Sequence, residues 1–196
     1  MNLRSEQVGH LRRVTLAASH NRNILDAAFA ADLLDELRDA ESDAETRAIL
    51  LDADGQVFCG GVDPAAALPL EIFTFGRRAA KPLVVAVQGV AVSAGLALIA
   101  NAHVAVAAQG SSFGLTDVRE GRYSAELIEA VSAAIGTRRA VELALTGRVF
   151  SAPDALSWGL VHFLTPAFEL DDRATSIATA LAAADPGVVR GLLAQK

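Results

Sequence analysis

The sequence has few of the residues that metal clusters, disulfides and nucleic-acid binding require. It contains one cysteine, Cys59, which excludes an internal disulfide and a cysteine-only metal cluster. Its four histidines lie far apart and no His-Glu-x-x-His spacing occurs, so we expect no metal site. Its 17 basic residues are outnumbered by 23 acidic ones, and no basic run exceeds two residues. This charge distribution argues against nucleic-acid binding, which needs clustered cations.

The sequence also lacks a clear export or membrane segment. Residues 1–13 have no apolar stretch of the kind that a secretory signal peptide carries. No Asp, Glu, Lys or Arg occurs from Pro82 to Thr116, and about 18 uncharged apolar residues are enough for a membrane helix. Polar residues and glycines interrupt this run, however, and it opens with Leu83–Val87, a block typical of a buried parallel strand. We therefore expect a cytoplasmic protein with no membrane partner.

Small apolar residues dominate what is present. Hydrophobic residues make up 52% of the chain and aromatic residues only 5%, while 40 of the 196 residues are alanine. This composition predicts a folded chain with a core in which backbones pack closely. No repeat, low-complexity segment or linker divides the sequence, so we predict a single domain over residues 1–196.

Hydrophobic periodicity predicts that strands and helices alternate along the chain. The predicted strands cover residues 14–16, 48–51, 83–87, 103–108 and 160–164, and the predicted helices cover 26–40, 94–101, 123–135 and 172–184. Such alternation is typical of an α/β fold with mostly parallel strands. In α/β folds, ligands bind at loops that follow the strands, so the chemistry is expected there.

Two glycine-rich loops follow predicted strands. Neither matches a dinucleotide-binding or phosphate-binding loop. The first, Val57–Pro64, contains paired glycines, which let a ligand approach the backbone and leave amide N–H groups free to donate. The second, Gly89–Gly95, leads into an apolar helix whose first N–H groups favour negative charge. The two loops together indicate a site for an anionic or developing negative oxygen.

Ordered motifs along most of the chain resemble those of the crotonase family, also called the enoyl-CoA hydratase/isomerase superfamily. The resemblance covers a core of about residues 14–164 and is followed by the C-terminal helix predicted at about 172–184. The motifs that carry it are Asn21–Leu25, Phe58–Asp63, Lys81–Gly89, Ser112–Gly114, Leu145–Arg148 and Trp158–Val161.

The resemblance implies a crotonase-like spiral of ββα units that binds an acyl-CoA thioester. No separate cofactor is implied, because coenzyme A is part of the substrate. Family members stabilise a thioester enolate with two backbone N–H groups, a form of oxyanion-hole catalysis. By position, these donors are the amides of Gly60 and Ala94. The residues implied for CoA or substrate binding are Arg22, Gly61, Val62 and Asp63. The family usually forms homotrimers or hexamers, so we expect a homo-oligomer.

The sequence departs from the family at the catalytic acids. Hydratases carry a glutamate two residues after the third glycine of the second loop, where this chain has Ala97. They carry a second glutamate where this chain has Asp117. Hydration needs carboxylates that hold water and transfer protons, whereas the isomerases of the family use the second acid alone. The sequence therefore favours isomerase-like chemistry with Asp117 as the single base.

Two further departures and two alternatives remain. Only 17 residues separate Asp63 from Lys81, where the family usually has a longer lid, and the C-terminal segment is also shorter than usual. A non-catalytic acyl-CoA-binding or scaffold paralogue is the main alternative. A serine hydrolase is the more remote one, because Ser93 lies in a segment similar to a G-x-S-x-G nucleophile elbow, with Asp117 and His162 as the other triad members.

Overall fold

The computed structural model describes residues 2–195, which form ten strands and eight α-helices. The strands are Leu3–Val8 (β1), Leu11–Leu16 (β2), Ala48–Ala53 (β3), Val57–Cys59 (β4), Leu83–Val87 (β5), Val90–Val92 (β6), Val104–Ala108 (β7), Ser112–Gly114 (β8), Val149–Ser151 (β9) and Phe163–Thr165 (β10). The helices are Ala27–Ser42 (α1), Phe75–Arg78 (α2), Ala94–Ala100 (α3), Ala125–Ile135 (α4), Thr137–Thr146 (α5), Ala152–Ser157 (α6), Leu170–Ala183 (α7) and Pro186–Leu193 (α8).

Two sheets organise the chain. The larger has the strand order β1-β2-β3-β5-β7-β10 and is parallel except for the β1–β2 hairpin. The smaller has the order β4-β6-β8-β9, with β4, β6 and β8 parallel. Successive turns of chain each place one strand in the large sheet and the next in the small sheet. The result is a spiral of strand pairs linked by helices, as predicted.

The core is built from small and medium side chains, as the composition predicts. One cluster fills the space between the two sheets and the helices around them, and it includes Phe29, Phe58, Ala97 and Phe113. A second, smaller cluster covers the other face of the large sheet, where alanines of α7 pack on β3, β5 and β7. Alanine on α7 lets the helix lie close to the sheet, since only a methyl group separates the two backbones.

Most predicted elements are confirmed, with small differences at their ends. The strand predicted at 83–87 is β5, and the helix predicted at 26–40 is α1, whose first turn is capped by the Asp26 carboxylate. Helix α6 begins with a reciprocal capping box between Ser151 and Asp154. The predicted helix 172–184 is α7.

Several elements were not predicted. The strands β1, β4, β6, β8 and β9 are short or, in β1, largely exposed, so each carries little hydrophobic pattern. Helix α5 begins directly after Gly136, which ends α4, and α8 begins at Pro186, which serves as a helix start as well as a stop. No helix within residues 2–195 is long and apolar enough to cross a membrane.

Candidate active site

Three functional segments lie at one edge of the small sheet. The loop 60–63 follows β4, the turn at Ser93–Ala94 follows β6, and Asp117 lies three residues after β8. These three strands are parallel, so their carboxyl ends point in the same direction. Strand order therefore brings together residues that are more than 50 positions apart in sequence.

The first two loops are in close contact. A Cβ atom added to Gly61 would lie 3.6 Å from the Cβ of Ser93, and one added to Gly95 would lie 2.9 Å from both the Cβ and the carbonyl oxygen of Cys59. The position of Gly95 therefore tolerates no side chain. The Cys59 thiol is buried in this contact, and burial raises its pKa to about 12, so it acts as a small apolar group.

In the first loop, the amide that the sequence predicts as an oxyanion donor already has a partner. The Gly60 N–H donates to the Arg22 carbonyl at 2.9 Å, so this N–H is already used within the backbone. Leu25 pairs with the loop through the Gly61 carbonyl and the Asp63 N–H, and this parallel bridge leaves the Val62 N–H without a partner among residues 2–195. Among the described residues, the Val62 N–H is therefore one donor that this loop leaves without a partner, and it lies two residues after the predicted one.

The other predicted binding residues surround this loop. Arg22 is exposed, adopts a left-handed backbone with φ 62°, and has its Cβ beside Gly60. Its guanidinium has no ion-pair or hydrogen-bond partner among the described residues. Gly61 is buried and has φ 111°, which favours glycine. The Asp63 carboxylate accepts the Ala65 N–H at 2.9 Å and so shapes the turn that leaves the loop.

The second loop has an unusual backbone. Ser93 adopts φ 52° and ψ −110°, a conformation that residues with a Cβ rarely take, and it is 3% exposed. Ala94 is the first residue of α3, where the N–H groups have no partner within the helix. Ala94 is fully buried, so its amide is shielded from solvent in this structure.

Asp117 is bound to Ser93. The Ser93 hydroxyl donates to the Asp117 carboxylate with an Oγ–Oδ2 distance of 2.6 Å. The Asp117 carbonyl also accepts the Arg122 N–H at 3.0 Å, which closes the turn containing the 3-10 helix Asp117–Glu120. Asp117 is thus held at both its backbone and its side chain. The serine hydrolase alternative had already grouped Ser93 with Asp117, and the two side chains are in contact here with the serine as the donor.

A cavity of about 430 Å³ opens beside these residues, a volume in the range of small-molecule sites. Asp117 and Val62 both line it, so the carboxylate and the loop with the free amide face one space. Asp117 is the one acid, and Arg122 the one cation, among the described residues that line it. The remaining lining residues are Ala66, Leu68, Leu70, Phe73, Gly121, Tyr123, Ser124 and Leu127. The segment 64–80, short as it is, supplies four of these residues.

Ala97 lies outside the cavity. Its side chain is on α3 and fully buried in the main core, where a hydratase of the family carries a glutamate. A carboxylate here would be surrounded by apolar groups. Asp117 therefore supplies the one carboxylate among the described residues that line the cavity.

The three residues of the predicted serine hydrolase triad do not come together. Ser93 and Asp117 are in contact, but His162 is held at the large sheet. The imidazole Nδ1 of His162 accepts the Ala105 N–H at 3.0 Å, and the backbone N–H of His162 donates to the Ala105 carbonyl. A nucleophilic serine needs a base that takes its proton, and the geometry gives His162 no such role. The prediction of a triad with His162 is therefore wrong.

The spiral of strand pairs, with loops that converge at the edge of the small sheet, defines a crotonase-like protein. The family model described as enoyl-CoA hydratase/isomerase matches residues 6–195. The chain therefore belongs to the enoyl-CoA hydratase/isomerase family, as its motifs indicated.

Individual relatives agree with this assignment. The chain is 30% identical to the mitochondrial enoyl-CoA hydratase domain-containing protein 3 of Rattus norvegicus, over 94% of this chain and 66% of that protein. It is 29% identical to the mevalonyl-coenzyme A hydratase of Aspergillus fumigatus, over 92% of this chain and 72% of that protein. The crystal structure of human enoyl-CoA hydratase domain-containing protein 3 superimposes with a TM-score of 0.93 at 25% identity, covering 99% of this chain and 82% of the other. The chain spans about two thirds of the length of the first of these relatives.

Proposed function

We propose that this protein binds an acyl-CoA thioester and stabilises its enolate, with Asp117 as the only acid–base residue. The observation that carries this proposal is that the Asp117 carboxylate and the Val62 loop line the same cavity. The Val62 N–H replaces Gly60 as the first oxyanion donor in this proposal, and Ala94 remains the second. Exposed Arg22, beside the first loop, is suited to the phosphates of coenzyme A.

The proposed reaction is a proton shift between carbons. Asp117 removes a proton from a carbon of the acyl chain, and the electron pair left behind moves into the conjugated system and onto the thioester oxygen. Amide N–H groups stabilise that oxygen in a preorganised, water-poor site. The protonated Asp117 then returns the proton to another carbon, so a 3-enoyl thioester becomes a 2-enoyl thioester. No water is consumed, which agrees with the methyl group at Ala97.

In this proposal, Ser93 positions the carboxylate of Asp117. Aspartate is one methylene shorter than the glutamate of the family, and misplacement of a reacting group by about 1 Å costs on the order of a hundredfold in rate. The Ser93 hydroxyl holds the shorter carboxylate at 2.6 Å. For the thioester oxygen to reach the Ala94 amide, Ser93 has to move aside, because Ala94 is fully buried.

Isotope exchange tests the chemistry. The wild-type protein is expected to incorporate deuterium from D₂O into a short acyl-CoA next to the thioester carbonyl, measured by mass spectrometry. Asp117→Asn removes the base and is expected to reduce the rate at least about a hundredfold. Glu120→Gln is the matched control, since Glu120 is a neighbouring exposed acid that does not line the cavity. Equal rates in wild type and Asp117→Asn would refute the role of Asp117.

A non-catalytic acyl-CoA-binding protein is the second candidate. Two observations favour it: Ala97 replaces an acid of the family, and the Asp117 carboxylate is bound to Ser93 while the Ala94 amide is buried. The same experiment separates the two candidates. Binding of acyl-CoA without any deuterium exchange, in wild type and in Asp117→Asn alike, would leave the non-catalytic function.

Assembly and location belong to the proposal as well. Large apolar side chains are exposed at the end of α5 and the start of β9, among them Leu145 at 73% and Val149 at 50%. Exposed apolar groups of this size often mark contacts between subunits. We propose a homotrimer or hexamer, located in the cytoplasm.

A further inference from the structure

The cavity contains a cation that the proposed proton shift does not use. Arg122 lines it together with Asp117, and the other lining residues are apolar or uncharged. An arginine beside an acyl pocket is costly unless it has a function there, because it places a charge next to apolar surface.

Arg122 is only partly paired. It forms an ion pair with Glu120, whose side chain is 59% exposed, and the Arg122 side chain is 31% exposed. Such exposed pairs contribute little and exchange readily with solvent or with another anion. The Arg122 Nε is buried and has no hydrogen-bond partner among residues 2–195. A buried N–H without an acceptor is uncommon, and it shows that Glu120 does not satisfy the whole guanidinium. The donors that a ligand in the cavity can reach are the Nη groups, because the side chain is 31% exposed whereas its Nε is buried.

The position of Arg122 relative to Asp117 restricts the length of the ligand. The backbone N–H of Arg122 donates to the backbone carbonyl of Asp117 at 3.0 Å, so the proposed base and the cation belong to one turn. Arg122 has no ion pair with Asp117, whose carboxylate accepts from Ser93 instead. The base therefore stays available, and a ligand that reaches both residues within a cavity of about 430 Å³ has to be small.

Resting on the proposed function, we infer that the preferred acyl group is short and ends in a carboxylate, so that the substrate is the mono-thioester of a small dicarboxylic acid. Arg122 binds the terminal carboxylate through its guanidinium, which has the planar fork that carboxylates fit. The apolar lining residues, Leu68, Leu70, Phe73 and Leu127, pack against the carbons between the two ends.

Two four-carbon esters test this inference, because they differ in the terminal group. Binding of butyryl-CoA and of freshly prepared succinyl-CoA is measured by calorimetry. The wild-type protein is expected to bind succinyl-CoA about 10- to 100-fold more tightly, the range for a hydrogen bond to a charged group. Arg122→Met keeps an unbranched side chain without the charge and is expected to remove this preference while leaving butyryl-CoA affinity within about threefold. Arg119→Met, an exposed position on the same turn, is the matched control and is expected to change neither affinity.

A second variant keeps the test independent of any folding defect in Arg122→Met. Glu120→Gln removes the competing carboxylate, and it is expected to tighten succinyl-CoA binding several-fold without changing butyryl-CoA binding. Equal affinity of the wild-type protein for the two esters, or a succinyl preference that survives in folded Arg122→Met, would overturn the inference while acyl-CoA binding stands. Failure of both esters to bind would overturn the proposed function together with it.

Discussion

Replacing Ser93 separates its two structural roles. The backbone of Ser93 has φ 52° and ψ −110°, and its hydroxyl donates to Asp117 at 2.6 Å. Ser93→Ala removes the hydrogen bond and keeps the unfavourable backbone. Ser93→Gly removes the same hydrogen bond and also relieves the backbone. The difference between the two variants therefore measures the backbone strain, less the chain entropy that glycine adds to the unfolded state.

The expected magnitudes follow from these contacts. A hydrogen bond to a charged group contributes about 1.5–3 kcal/mol, and we expect the lower end because Asp117 is half-buried and regains water. An unfavourable backbone conformation costs about 1–3 kcal/mol, and glycine adds about 0.4–1 kcal/mol of chain entropy to the unfolded state. Ser93→Gly is thus expected to be about 1 kcal/mol more stable than Ser93→Ala, or roughly 2–4 °C in Tm for a chain of this length.

Thermal and urea unfolding of the two variants provide the measurement. Ala134→Gly is the control, because Ala134 lies within α4 and glycine there has only its usual helix penalty of up to about 1 kcal/mol relative to alanine. Glycine in place of alanine is therefore expected to stabilise the protein at position 93 and to destabilise it at position 134. A Ser93→Ala variant as stable as Ser93→Gly, or more so, would show that the backbone at Ser93 holds no strain and would refute the reasoning.

Three further predictions address binding, reactivity and assembly. Val62→Pro removes the free N–H of the first loop and is expected to abolish acyl-CoA binding by calorimetry, whereas Val62→Ala keeps the N–H and retains binding; equal loss in both would argue against the amide. Cys59, with its pKa raised to about 12 by burial, is expected to resist thiol reagents in the folded protein at pH 8 and to react fully in denaturant, and rapid labelling of the folded protein would contradict its burial. Light scattering at micromolar concentration is expected to give a mass three or six times the protomer's 20.4 kDa, and a monomer mass would count against the proposed assembly.

The sequence predicted the fold class because its central strands are strongly apolar. Leu83–Val87 is buried along its whole length, so its pattern is visible without any structure. The short strands of the small sheet were missed because each has only three residues, which is too few to show an alternation of apolar and polar side chains. They are the strands that position the site. The fold was therefore easier to predict than the geometry that makes it functional.

The candidate site was predicted by segment and not by atom. Motif resemblance pointed to the loop at 58–63, yet the choice between Gly60 and Val62 depends on which N–H the Arg22 carbonyl already accepts. That partner comes from a left-handed turn at Arg22, which no residue type there signals in advance. Arg122 was missed for a different reason. An arginine two positions after a glutamate is typical of an exposed ion pair, and only the structure shows that Arg122 also lines the cavity.

The order of strands in the large sheet bears on how the chain is made. That order, β1-β2-β3-β5-β7-β10, is also the order of synthesis. Each new strand can therefore dock on the edge left by the one before, and none has to insert between two that are already paired. The three functional segments emerge in the same succession, with the Val62 loop first, the Ser93 turn second and Asp117 third. The Val62 loop, held by Leu25 from earlier in the chain, can thus form before Asp117 has been translated, whereas the Ser93 turn is completed only when the Gly114 carbonyl accepts the Ser93 N–H.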